Sequence, residues 1–319
     1  MNRILYILFI FFLSACVKAQ TRDFTQVDLY ARTLPQKYTH KIDTLTNHLT
    51  SKFNNPIDRV RSIMVWIANN ISYDTYNYDR DNVSEENLKI DYILFYKRTI
   101  CEGYANLFKK MCDISGVTCI KIAGFAKDSL LNGVPLEKMA HSWNIIKIDT
   151  DFFIIDPTWG SGYVDQNNHY QKKFEEKYFL ADPFTISKSH YPDNSVFQLL
   201  ENPLSFEEFI GDTVTGLQKE NLLNYKDSIN SILILPPNEF ELATILYKNT
   251  TYKADMNRIG YLYYIIAEEK CLKAKTSEEK IAALKNMDDT INYIKANNIT
   301  GMNEYIKNSD YYKTLLQSK

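Results

Sequence analysis

Two short apolar runs, 143–148 and 152–155, flank the polar break Asp149-Thr150-Asp151. Short runs rich in Ile and Phe around such a break predict a β-hairpin. A hairpin constrains the chain strongly, because the residue entering its first strand and the residue leaving its second lie side by side. Those residues are His141 and Asp156. Upstream, 99–115 reads as a helix with apolar positions Ala105, Leu107, Phe108, Met111, Cys112 and Ile114, and Gly116 stands where a C-terminal cap belongs. Cys101 lies at the start of that helix, where the positive end of the dipole favours the ionised, nucleophilic form of a thiol. A thiol, an imidazole and a carboxylate in that order supply a nucleophile, its base and an orienter for the base.

The surrounding pattern is α+β. Asn55-Pro56 starts a helix with Val60, Ile63, Met64 and Ile67 on one face, and Ile71 one turn on. Residues 74–90 are polar and charged and read as a surface loop, and 117–123 reads as a strand. Pro236-Pro237 breaks the chain, and the pattern is helical after Asp255. One stripe there is Ile259, Leu262, Tyr263 and Ile266. Thr276 and Glu279 form a capping box before a second stripe, Ile281, Leu284, Met287, Ile291 and Ile294, and a final helix covers 305–316. The expected organisation is a signal peptide at 1–19, a polar lead-in with some helical content at 20–50, a core with its tail at 51–212, a linker at 213–237 and a helical region at 238–319.

Arg3 followed by the apolar run 4–13 has the form of a signal peptide. Leu13-Ser14-Ala15-Cys16 resembles a lipobox, with Cys16 as the lipidated residue. Val17-Lys18-Ala19 is the competing processing site, and either route takes the mature chain out of the cytoplasm. A lipid at Cys16 is the one membrane contact expected. With Cys16 and Cys101 assigned, Cys112 and Cys119 are read as buried thiols rather than a disulfide, and Cys271 remains. No CxxC or HExxH occurs, so neither a metal nor another cofactor is expected. A net charge of −2 with no basic face gives no support for nucleic-acid binding, and 45% hydrophobic content excludes a disordered chain.

At Cys101-Glu-Gly-Tyr-Ala105, His141-Ser-Trp-Asn144 and Ile155-Asp-Pro-Thr-Trp-Gly160 the sequence resembles the transglutaminase-like superfamily, and within it the kyphoscoliosis-peptidase branch with its bacterial relatives. Trp66-Ile-Ala-Asn-Asn-Ile-Ser-Tyr-Asp74 belongs to the same match. Tyr178-Phe-Leu-Ala-Asp-Pro183 and His190-Tyr-Pro-Asp193 resemble the tail that follows this core. The resemblance covers roughly 50–210. It implies a papain-like core with Cys101 on a helix and His141 and Asp156 on an antiparallel sheet. It also implies acyl transfer from a peptide or amide through a thioester, on a peptide or protein substrate in the cell envelope. The acceptor is water in a peptidase or deamidase and an amine in a cross-linker. A non-catalytic peptide-binding groove on the same fold is the competing class, and the intact triad favours the enzyme.

Tyr104, Trp143 and Trp159 flank the expected site and are candidates for the walls of a substrate cleft, with ordinary core packing as the equal alternative. His190 is assigned a structural role, and His40, His48 and His169 are read as solvated. The expected oxyanion donor is the backbone N–H of Cys101, since helix starts present free amides.

Overall fold

The computed structural model describes residues 22–78, 82–127, 140–211, 222–246 and 256–317. The leader expected at 1–19, with Cys16, lies outside them. The first half of the chain is mainly helical: α1 (Thr25–Arg32), α2 (Ile42–Thr50), α3 (Pro56–Asn70), β1 (Ser72–Tyr73), α4 (Thr75–Tyr78), α5 (Ile90–Tyr96), β2 (Arg98–Thr99) and α6 (Cys101–Ile114). Strands follow: β3 (Thr118–Ala126), β4 (Ala140–Ile148), β5 (Asp151–Ile155), β6 (Gly162–Val164), β7 (Tyr170–Lys172), then α7 (Pro183–Ser187) and β8 (His190–Pro192). Helices close the chain: α8 (Phe206–Gly211), α9 (Tyr225–Leu233), α10 (Pro237–Leu246), α11 (Met256–Lys273), α12 (Ser277–Ala296) and α13 (Asn303–Gln317).

The main sheet has the order β5-β4-β3-β8, and every pairing in it is antiparallel. Its two faces have separate cores because side chains alternate along each strand. On one face Cys119, Ile146, Ile148 and Ile155 pack with α2, α3 and α6 through Leu45, Ile63, Ile67, Leu107, Phe108 and Met111. On the other, Ile120, Ile122, Trp143, Ile145, Phe152 and Ile154 meet Ile186, Phe197 and Ile229. The tail and α9 therefore cover a face of the sheet that would otherwise be open to water.

Local chemistry explains most boundaries. Asn55 caps α3 by accepting from Ile57 N at 2.8 Å, and Pro56 occupies the first turn. Asp149 takes the left-handed conformation, φ 55°, at the hairpin turn, and Ile148 pairs with Asp151 across it. Gly116 ends α6 at φ 77°, as the sequence predicts. Thr276 and Glu279 make both bonds of their capping box.

Several expectations change. The loop at 74–90 contains α4 and a 3-10 turn, Glu85–Leu88, and α5 starts at its end. The turn is closed by a Ser84–Asn87 capping box, which lacks the usual Glu or Gln. The lead-in is not a polar preface: Ala31, Leu45 and Leu49 are fully buried in the same core as α3, so that core extends upstream of residue 51. Within the stretch read as a linker, α9 seats Ile229 under the sheet. Ile281 is 68% exposed because Ala283 takes the inward position on α12. Tyr264, not Tyr263, is the buried tyrosine of α11.

Candidate active site

Cys101 is the first residue of α6, directly after β2, and Ile100 at the N-cap provides no side-chain cap. The helix start therefore keeps its forward-pointing amides free of side-chain partners. Two contacts fix its position. Glu102 pairs with Lys121 on β3 at 2.9 Å, and Gly103 packs so tightly on Thr99 that an added Cβ would fall 1.9 Å from Thr99 Oγ1. Cys101 is buried beside His141, close enough to act on the imidazole by hydrogen bond and by charge.

His141 is the second residue of β4, which starts at Ala140, three residues earlier than the apolar run 143–148 that marks it in the sequence, and Asp156 follows β5. The register Asn144↔Ile155 brings the two onto adjacent strands. His141 Nε2 stands 2.8 Å from Asp156 Oδ2, which leaves Nδ1 as the ring nitrogen available to the thiol. Asp156 is fully buried, and its other oxygen, Oδ1, accepts the backbone N–H groups of Thr158 at 2.8 Å and Trp159 at 3.0 Å. The Asp-Pro-Thr-Trp string is thus a turn wound around its own carboxylate. Gly160 closes the turn, donating to Asp156 O at 2.9 Å.

A fourth residue joins these three. His190, on β8, places its Nε2 3.0 Å from the same Oδ2, and its Nδ1 is 2.9 Å from Ser189 Oγ. Two imidazoles therefore share one carboxylate oxygen. The sequence reading assigned His190 only a structural role. The signal that could have found it is Gly124: an added Cβ there would meet Tyr191 O at 2.2 Å, so β3 needs a glycine for β8 to lie against it.

The charges are consistent with an ion pair. Burial pulls the His141 imidazole down, but the Asp156 carboxylate, with a further contribution from Cys101, raises it well above the ordinary histidine value. Burial pushes Asp156 up, and the attraction of His141 together with hydrogen bonds from both imidazoles outweighs it, holding the carboxyl well below its usual range. His190 moves the other way. Its own burial, with His141 and Lys177 adding, lowers it against the pull of Asp156. The cation of the pair is thus placed on His141.

Tyr104 and Trp143 are both packed inside the protein. Tyr104 is 0% exposed and donates its hydroxyl to Ile71 O at 3.0 Å, while Trp143 is 1% exposed and lies in the core on the face of the sheet away from α6. Trp159 is half-buried, with ring centroids 5.5 Å from His141 and 4.6 Å from His190, and is the cleft candidate that remains. Cys112 and Cys119 are free and buried, as read, and burial followed by the Cys119 thiol raises the Cys112 thiol. His141, Asp156 and His190 are also donors of the type that hold metals, within 4.8 Å of one another. Here both Nε2 atoms are directed at the carboxylate as hydrogen-bond partners.

A cysteine-headed helix laid against an antiparallel sheet that carries a histidine and an aspartate defines a papain-like α+β core. Residues 43–157 match the Transglutaminase-like superfamily, and this stretch is a transglutaminase-like domain. Kyphoscoliosis peptidase of Homo sapiens is 32% identical over 191 residues, which are 59% of this chain and 28% of that protein. Hillarin of Drosophila melanogaster is 24% identical over 204 residues, 59% of this chain and 24% of its own. The chain thus spans about a quarter of the length of these relatives. A TGase crystal structure covers 51% of this chain and 40% of its own at 18% identity and a TM-score of 0.31.

Proposed function

We propose that the chain is a cysteine-dependent hydrolase or acyltransferase acting on peptide or amide bonds through a Cys101–His141–Asp156 triad, with peptide hydrolysis as its main reaction. The observation that carries this reading is the directed chain of contacts: Asp156 holds His141 through Nε2, and the opposite nitrogen is left for the thiol at the head of α6. The Cys101 thiolate attacks the carbonyl carbon, and the uncapped amides at the helix start receive the developing oxyanion. The His141 imidazolium gives its proton to the departing amine, leaving a thioester. Water then attacks the thioester carbonyl while His141 takes its proton, and the acid leaves with the thiolate restored. An amine in place of water gives transamidation.

The discriminating experiment is mass spectrometry of the protein incubated with a glutamine-containing peptide library and an amine tracer, beside Cys101→Ala. Cleaved peptides support the peptidase reading, tracer incorporation supports cross-linking, and a one-dalton gain on glutamine (loss of the amide for an acid) supports deamidation. Identical spectra for both proteins would leave a binding groove in place of an enzyme. Action in the cell envelope is part of the proposal and rests on the leader-like 1–19. The mass of the native N-terminus tests it, by distinguishing lipid on Cys16 from cleavage after Ala19.

A further inference from the structure

We infer that His190 is a second positioning imidazole of the active site, which donates its Nε2–H to Asp156 and so orients the carboxylate that orients His141. The inference rests on the triad proposed above and goes beyond it, since a three-residue relay has no place for this residue.

The geometry supports it from three sides. First, Asp156 Oδ2 lies 2.8 Å from His141 Nε2 and 3.0 Å from His190 Nε2, and an anionic oxygen offers only acceptor sites, so both nitrogens carry hydrogen. Second, the far nitrogen of His190 is 2.9 Å from Ser189 Oγ, a closer partner for that hydroxyl than Ile186 O at 3.2 Å; with Nε2–H given to Asp156, Nδ1 is the lone-pair nitrogen that accepts from it. Third, the ring is clamped. Trp159 lies 4.6 Å away at 70° and Trp143 lies 5.2 Å away at 90°, both edge-to-face. A buried imidazole held in this way is a fixed donor. Its burial disfavours a second proton, so it donates to the carboxylate without competing with His141 for the positive charge.

Without that donor Asp156 takes a proton more readily, and the His141 imidazolium loses its counter-charge at a higher pH. The groups facing the carboxylate are His141 from β4 and His190 from β8. Cys101 of α6 acts on His141, and Lys177 acts on His190. The reactive thiolate–imidazolium pair should then persist over less of the acid range.

The test is the pH profile of Cys101 alkylation by iodoacetamide, which requires no knowledge of the substrate, in wild type, His141→Ala, His190→Phe, His190→Gln and His190→Asn. The amide nitrogen of Gln reaches the position of Nε2, whereas that of Asn reaches only Nδ1. The expected result is a fall of about 10- to 100-fold at neutral pH for Phe and Asn, the range seen when the partner that orients a metal-bound imidazole is lost. Their acid limb should move to higher pH, and Gln should restore most of the rate and the limb. If His190→Phe does not fold, the Gln and Asn pair, matched in polarity, decides the question. Equal rates and equal acid limbs for Gln and Asn overturn the inference. A wild-type thiol no faster than a free cysteine, or one indifferent to His141→Ala, overturns the proposed function and this inference with it. A fast, His141-dependent thiol unmoved by any His190 substitution overturns only the role of His190.

Discussion

Asp156 is the residue on which the site depends. Its two oxygens accept four hydrogen bonds, two from imidazoles and two from the following backbone. Asp156→Asn keeps an acceptor for Thr158 N and Trp159 N but turns an amide N–H₂ toward two N–H donors. Turnover is expected to fall about 10³- to 10⁴-fold, the scale for losing the orienter of a catalytic histidine, and single-turnover acylation kinetics would read it. The pH dependence of stability follows from the same contacts. Asp156 is held below its unfolded value of about 4 and His190 below its unfolded value of about 6.5. The folded state thus binds fewer protons than the unfolded chain at both groups, and both contributions, complete above those values, are lost as pH falls. His141 is held above about 6.5, so its contribution is complete below that value and is lost as pH rises through its raised one. Urea midpoints should therefore decline on both the acid and the alkaline side. In Asp156→Asn the alkaline decline should disappear, because His141 no longer has a carboxylate to hold its proton. At this scale the sequence was informative about Cys101, His141 and Asp156, each at the end of a regular element that periodicity can locate. It left Tyr104 and Trp143 between cleft wall and core, and their burial favours the core, because closeness along the chain to a reactive residue does not determine which way a side chain faces.

Among the elements, β8 is the one whose placement matters most for its length. Three residues long, it closes the sheet against β3 and carries His190 to Asp156. Gly124 permits that approach, since an added Cβ would meet the β8 backbone at Tyr191 O and Pro192 Cα. Gly124→Ala is expected to cost about 1–3 kcal/mol as overpacking and to slow Cys101 alkylation by displacing His190. Gly116→Ala is the control. Its left-handed φ costs about 1 kcal/mol, but nothing lies within 4 Å of an added Cβ, so alkylation should keep its rate. Thermal melts paired with alkylation rates separate the two, and a Gly124→Ala protein of wild-type reactivity would remove β8 from the account. Helix α6 and the β4–β5 hairpin were legible because cap, stripe and turn are local signals. Helix α5 was not, since it is only seven residues long and its inward positions Ile90, Ile93 and Leu94 make a single turn of pattern directly after a polar, charged stretch.

Across the whole molecule, Arg61 of α3 ties the lead-in to the segment that follows β7. Its guanidinium lies 4% exposed, paired with Asp28 of α1 at 2.7 Å through two nitrogens and with Glu176, and it stacks on Phe24, Phe174 and Phe179. Arg61→Ala should cost about 3 kcal/mol, the low end for a broken buried ion pair, because Asp28 and Glu176 keep part of their solvent. Denaturant unfolding measures it, and a loss below about 1 kcal/mol, the scale of a surface pair, would show that the lead-in is held by its apolar contacts alone. What the sequence by itself determined is the local part of this protein: a capped helix that begins with the thiol, a hairpin whose ends bring an imidazole and a carboxylate together, and helices marked by their stripes. Those features follow from backbone geometry acting over a few residues. Only the tertiary structure decided that the lead-in shares the core, that α9 covers the face of the sheet away from α6, and that a second histidine lies on the carboxylate. Each of these joins segments far apart in the chain, and no periodicity encodes such a pairing. It is set by which apolar faces remain to be buried once the local elements have formed.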